Sequence, residues 1–417
     1  MRSVQSTPRV RLGVDRLLRD FSLVPGHRWG LITNNTGVTS ELELSSVALW
    51  KAGAPLVALL TPEHGLRGTA QAGDSEAGGV DPETGLPVLD TYLKEGLELD
   101  QAIAELGLDA LLFDLQDIGA RFYTYAWTMI DCMRAAARLG IPFHVLDRPN
   151  PLGGEQVAGP GVVRGFESFV GRLNIPIRHG LTLGELARVG ASLDRRDGID
   201  VPDPGVVTMR GWRRWMLWAD TGLSWVMPSP NIPTPESAMV FVGNALFEGT
   251  SMSEGRGTTR PFELVGAPWL GSDYAERLIQ ARLPGVVFRA AWFAPTFSKH
   301  ANEAIGGVQI YVADPDTYDP LRAAVEMIML AMSAPGAHFH WREPAWEETG
   351  PRPLFIDLLW GSDSLRNKID DGDKDSILAE IDSAHALRRR DEPFLIYGSD
   401  SVNQWGLRVN ADANHCP

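Results

Sequence analysis

DALLFDLQDIGARFYTYAWTMIDCMRAAARLGIPFHVLDRPNP, residues 109–151, is the stretch whose reading decides the fold. Asp109 to Leu115 is an apolar run of strand length. Tyr125 to Leu139 carries a helical pattern and closes at Gly140, a C-cap residue suited to the left-handed region. Ile141 to Leu146 is a second apolar run, ending in Asp147-Arg148-Pro149-Asn150-Pro151. Strand, helix and strand in succession make a crossover unit with parallel strands.

The same alternation extends outward. Trp29 to Asn34 and Pro55 to Leu60 read as two more buried strands. Ser40 to Ala52 reads as a helix with Ser40 as its N-cap, and Leu97 to Leu106 as another. Strands that stay apolar along their length belong to a parallel sheet covered on both faces. Right-handed crossovers place all their C-terminal ends along one edge, where open α/β sheets bind ligands. Polar clusters fall at those ends each time: Asn34-Asn35-Thr36, Glu63-His64, Asp114 through Asp117, and Asp147-Arg148.

From Pro151 to Pro261 the chain is rich in Gly and Pro, with one clear helix at Leu183 to Leu193. From about Gly266 a second, smaller α/β unit follows. It has helices near Asp273 to Leu283, Leu321 to Met332, Ser364 to Ile369 and Lys374 to Arg388. Its strands are expected at Val286 to Phe293, Gly307 to Val312 and Pro393 to Tyr397. The expected division is 1–265 and 266–417.

Composition bounds the function. A chain of 417 residues accommodates two domains. Its net charge of −15 repels nucleic acid and anionic membranes at long range, so neither is an expected partner. No apolar run approaches a membrane span. Met1 to Asp20 lacks the apolar core of a signal peptide, which makes a cytoplasmic location the expectation. Cys132 and Cys416 are the only cysteines, too few for a disulfide framework, and neither reads as catalytic. Dinucleotide, P-loop, nucleophile-elbow and H-E-x-x-H motifs are all missing. The dispersed histidines do not suggest a zinc site, and no cofactor is expected.

Thr61-Pro62-Glu63-His64-Gly65 carries the leading candidate. A carboxyl just past a buried strand is partly desolvated, which suits Glu63 to general-acid work. Its alternative is an N-cap or surface glutamate. Asp114, Gln116 and Asp117 can hold sugar hydroxyls or position a water; they can equally cap helices and tie loops. Arg121 with Tyr123 suits an anionic, partly apolar ligand, while Tyr125 reads as packing. Arg148 serves either its loop or a ligand. Thr182 and Glu185 form a capping box, which leaves His179 open as a site residue. Ser229-Pro230-Asn231 and Ser253 to Thr259 are the densest polar loops. In the second of these, Glu254 and Arg256 are an ion pair, or an acid and a carboxylate clamp. Trp212, Trp215, Trp218 and Trp225 are spaced more like core than like sugar platforms.

Taken in order, these motifs resemble the exo-β-N-acetylmuramidase (NamZ-type) family over roughly residues 12 to 400. The resemblance is carried by Thr33-Asn34 with Thr36-Gly37, Pro62 to Gly65, and Asp114 to Tyr125. It continues through Leu146 to Pro151, His179-Gly180, Ser229 to Asn231, and Glu248-Gly249 on to Pro261-Phe262-Glu263. It implies a Rossmann-like first domain, a smaller second domain and a cleft between them. It implies release of terminal N-acetylmuramic acid from the non-reducing end of peptidoglycan fragments, with Glu63 as catalytic acid. Asp117 or Glu254 would complete the chemistry, directly or by orienting the substrate's acetamido group, and His64 stands beside the acid. Asn34, Thr36 and Thr258 join the expected binding groups. Arg67, Arg121, Arg148 and Arg256 are candidates to clamp the lactyl carboxylate. The export signal common in the family is not visible here, so both the wall itself and imported fragments stand as the expected substrate.

Overall fold

The computed structural model describes residues 10–343 and 353–398; Cys416 lies outside them. The first part runs α1 (Gly13–Leu17), β1 (Trp29–Thr33), α2 (Ser45–Lys51), β2 (Leu56–Thr61), β3 (Gly79–Val80), β4 (Pro87–Asp90) and α3 (Gly96–Ala104). It continues with β5 (Ala110–Asp114), α4 (Tyr125–Leu139), β6 (Phe143–Leu146), α5 (Leu183–Arg196) and β7 (Gly205–Val207). The strands form one sheet in the order β3-β4-β2-β1-β5-β6-β7. All neighbours are parallel except β3 on β4.

Every position of β5 is buried, the reason its sequence does not alternate. Leu111 and Phe113 pack with Ile103 of α3, Trp127 of α4 and Leu186 of α5. Ala110 and Leu112 face the other way, against Val14 and Leu17 of α1 and Leu49 of α2. α4 ends at Gly140, whose φ of +69° fits the expected left-handed cap. The chain leaves β1 toward β2 on one side and lies beside β5 on the other, so the strand order reverses at β1. The carboxyl ends of β2, β1 and β5 therefore sit together on the ligand-binding edge.

The second part contains α6 (Pro235–Asn244), β8 (Leu264–Ala267), α7 (Ser272–Gln280), β9 (Val286–Phe293), β10 (Ile305–Val312) and α8 (Pro320–Met332). Then come α9 (Phe355–Trp360), α10 (Ser364–Asp371), α11 (Lys374–Asp382) and α12 (Ala384–Asp391). Its sheet is antiparallel, ordered β8-β10-β9. α6 packs along α8. A Cβ at Gly243 would lie 1.9 Å from the Pro320 carbonyl oxygen, so only glycine allows that approach. The division expected after residue 265 runs through β8, a strand the sequence reading did not anticipate.

Three expectations about single elements change. Ser40 does not cap a helix: its N–H donates to Asp15 Oδ1 at 3.0 Å, and Leu42 at φ +66° interrupts the chain, so α2 starts only at Ser45. The segment Pro393 to Tyr397 is not a strand. Glu392–Phe394 is a 3-10 turn, and the Ile396 and Tyr397 amides go to Glu185 Oε1 instead of a neighbouring strand. The helix expected from Lys374 to Arg388 breaks at Ser383 into α11 and α12. Among the described residues, no helix is long and apolar enough to cross a membrane.

Candidate active site

β2 delivers Glu63 two residues past its last hydrogen-bonded position. The chain then turns sharply, with His64 at φ +72° and Gly65 at φ +75°. A non-glycine residue in the left-handed region is held there only when its surroundings over-determine it. Here the His64 N–H donates to the Asp74 carbonyl at 3.0 Å, and its Nδ1 lies 2.9 Å from the Ala70 carbonyl oxygen. The ring also meets the Tyr125 edge at 6.3 Å. These contacts fold residues 64–74 back over the strand end. As a result, the Gly73 N–H donates to Glu63 Oε1 at 2.6 Å. The Thr124 hydroxyl, at the start of α4, lies 2.5 Å from Glu63 Oε2. A hydroxyl donates to a carboxylate and accepts from a carboxylic acid, so Thr124 serves Glu63 in both protonation states. Thr124→Val should lower kcat/KM about tenfold, the value of one hydrogen bond to a charged group, whereas Thr124→Ser should retain activity. Steady-state turnover of a glycoside with a sugar leaving group, whose departure needs the proton, measures it.

Glu63, only 7% exposed, opens onto a cavity of about 530 Å³, within the small-ligand range. Its floor is apolar, with Phe122, Phe241, Phe262 and Leu359. Tyr92 and Phe169, edge to face at 5.4 Å, form one wall. Aromatic faces of this kind suit the C–H faces of a sugar ring.

A second carboxyl group shares the cavity. Glu254 sits in the loop before β8, where Gly255 (φ +78°) lets the chain pass close to the Leu264 carbonyl. Its Oε2 is 2.6 Å from Lys299 Nζ and its Oε1 is 3.5 Å from Arg256 Nε. Burial alone would raise the Glu254 pKa, but the Lys299 and Arg256 charges outweigh it and hold the carboxyl below the ordinary range. Arg256 in turn reaches Glu248 Oε1 at 2.7 Å and stacks over Phe262 at 5.0 Å. The two carboxyls thus have different settings. Glu63 is held by uncharged hydrogen-bonding groups, and Glu254 is locked as an anion by two cations. A carboxyl among neutral hydrogen-bonding partners beside one fixed as an anion is an arrangement that acid-catalysed bond cleavage can use.

Of the residues expected from sequence, Glu63, His64, Tyr123, Ser229, Glu254 and Arg256 line the cavity. Asn231 lies behind the lining, its Nδ2 donating to Gln71 Oε1 at 3.2 Å. The others fall outside it. Asp114 and Arg148 form a two-point buried ion pair at 2.6 and 2.9 Å. Thr36 Oγ1 accepts from the Gln116 N–H, and Gln116 Nε2 donates to the Asp117 and Pro149 carbonyls. Asn34 donates to the Tyr125 hydroxyl at 2.7 Å, fixing the ring beside Tyr123. These groups close the strand ends onto one another. Asp117 Oδ2 lies 3.2 Å from His179 Nε2 and accepts from the Gly119 N–H, a buried pair beside the cavity. Thr258 donates to the Gly255 carbonyl within its own turn. Arg67 is held by Asp81 and Glu83 away from the cavity.

Arg121 is buried and spends its guanidinium on four carbonyls: Pro160, Ile175, Leu359 and Trp360, at 2.6 to 2.9 Å. Burial pulls it down to about 9, so it stays charged at neutral pH. It joins the first part to α9 of the second. Trp212 and Trp218 are buried, and Trp218 meets Trp225 at 4.9 Å away from the cavity, as core. The sequence reading did not single out Thr124, Glu248, Lys299 or Arg342. Thr124 and Glu248 stand inside quoted motifs; Lys299 and Arg342 had no local signal.

A parallel sheet presenting a buried acid at a strand end, with an ion-paired carboxylate in the same aromatic-walled cavity, defines an α/β enzyme of the glycosidase type. The chain belongs to the exo-β-N-acetylmuramidase NamZ family. The family's N-terminal model matches residues 29–236 and its C-terminal model residues 239–407. These matches meet at the start of α6, ahead of the division expected after residue 265. The peptidoglycan β-N-acetylmuramidase NamZ of Bacillus subtilis is 44% identical over 368 residues, covering 88% of this chain and 85% of that protein. Two solved DUF1343 family proteins of Bacteroides fragilis share the fold. One has TM-score 0.81 at 33% identity and the other 0.71 at 26%, each covering 93% of this chain and 99% of its own.

Proposed function

We propose that this protein is an exo-acting glycosidase that releases β-linked N-acetylmuramic acid from the non-reducing end of peptidoglycan fragments, as part of cell-wall turnover. The observation that carries the reading is the pair of unlike carboxyl groups, Glu63 and Glu254, in one cavity. The Bacillus subtilis relative supports the substrate class.

In this reading Glu63 is the general acid. Its proton passes to the glycosidic oxygen as the bond from that oxygen to the anomeric carbon breaks. Glu254 has both oxygens engaged by cations, which makes it a poor nucleophile. The nucleophile is then the substrate's own acetamido oxygen, which bonds to the anomeric carbon as the leaving group departs. Glu63, ionised once its proton has gone, and the Glu254 carboxylate in the same cavity shape the field around the positive charge developing on the ring. Water then attacks the anomeric carbon, opens the cyclic intermediate and returns a proton to Glu63.

The test is incubation with a disaccharide of N-acetylmuramic acid β-linked to N-acetylglucosamine. Free N-acetylmuramic acid should accumulate with multiple turnovers. Binding without product after prolonged incubation would replace the enzyme by a saccharide-binding protein.

A further inference from the structure

We infer that Arg342 is the residue that recognises the substrate's carboxylate, and so sets selectivity for the lactyl-bearing sugar; this rests on the function proposed above. Among the described residues, Glu63, Glu248, Glu254 and Glu343 all line the cavity, with Arg256 and Arg342 as the lining cations. An anionic ligand entering such a cavity needs a cation that is not already neutralised. Arg256 is occupied by Glu248 and Glu254. Lys299, behind the lining, is spent on Glu254 and on the Phe247 and Thr250 carbonyls. Arg67, Arg121 and Arg148 are committed elsewhere, as described. Arg342 is half-buried in the cavity wall. Its side chain makes no hydrogen bond or ion pair with another described residue.

Its backbone, by contrast, is fixed from both sides. The Arg342 N–H donates to the Gly249 carbonyl at 2.9 Å, and its carbonyl accepts from the Phe355 N–H at 2.9 Å. Its neighbour Trp341 bridges to Thr250. Gly249 permits this packing, because a Cβ there would lie 2.7 Å from the Ile356 amide nitrogen. The link anchors Arg342 beside Glu248 on one side and the start of α9 on the other. A pinned backbone carrying a guanidinium with no side-chain partner among the described residues into a cavity is a preorganised carboxylate fork: its planar pair of N–H groups matches a carboxylate in two-point contact. N-Acetylglucosamine has the same ring and acetamido group without the lactyl acid, so the contact separates the two sugars.

The experiment compares kcat/KM for an aryl β-N-acetylmuraminide with that for the matching aryl β-N-acetylglucosaminide. Wild type should favour the muraminide. Arg342→Gln should reduce the muraminide-to-glucosaminide ratio roughly 10- to 100-fold, the value of a charge-assisted contact. Arg342→Lys keeps the charge but loses the fork, and should give an intermediate ratio. A ratio within twofold of wild type in both variants overturns the assignment of Arg342. Equal turnover of the two substrates by wild type overturns the underlying substrate reading instead.

Discussion

Glu63→Gln is expected to lower kcat on the natural disaccharide by about 10²- to 10⁴-fold, the range for losing a general acid. Glutamine has the same shape, and its amide oxygen can still accept from the Gly73 N–H, so the loop after β2 keeps its course. What it cannot do is give up a proton. The leaving group therefore decides the size of the loss. A sugar alkoxide needs protonation as its bond breaks, whereas an acidic aryl leaving group needs little. The variant should recover much of its rate on an aryl muraminide with an acidic phenol. A uniform loss of kcat/KM, which reports the bond-cleaving step alone, on both substrates would make Glu63 a structural residue, and near-normal disaccharide turnover would remove it from the mechanism. Far-ultraviolet circular dichroism checks that the fold is intact.

Arg121→Met should lower unfolding stability by about 3–5 kcal/mol, since buried acceptors left without a donor each carry a desolvation cost. Methionine fills the space of the stem but donates nothing to the Pro160, Ile175, Leu359 and Trp360 carbonyls. Two of these belong to α9, so the loss falls on the junction between the two parts of the chain. Chemical denaturation of wild type and variant measures it. A change below about 1 kcal/mol, the scale of an ordinary substitution, would show that water replaces the guanidinium there.

How far the sequence was legible follows from how local each signal is. α4 and β9 have the bounds read from sequence, because a long helical period or a long, mostly apolar run closed by turns is self-contained. β3 and β7 were missed because two or three residues make no apolar run. α6 was missed although Thr234 caps it and Pro235 opens it, since its setting in a Gly- and Pro-rich region masked those signals. In the site, the strand-end rule found Glu63 but also selected Asp114, Gln116 and Arg148. Parallel strands leave polar backbone at their ends, and side chains that satisfy it look the same in sequence as those that meet a ligand. Glu254 was legible as one member of a pair with Arg256. Its stronger partner, Lys299, comes from a loop after β9 that only the folded chain brings near.

The acceptors around Arg121 have one more property: a peptide carbonyl does not titrate. With its own value at about 9, Arg121 is charged in the folded and the unfolded chain at every acidic pH, so acid has no proton with which to undo this joint. Glu254 differs. Its depressed carboxyl contributes stability above the ordinary carboxylate range, and loses it as pH falls through the folded value. Acidification should therefore strip the cavity beside Glu63 of its ion cluster while the two halves still hold together. On a pH titration, turnover would fail before tryptophan fluorescence reports unfolding, and returning to neutral pH would restore it.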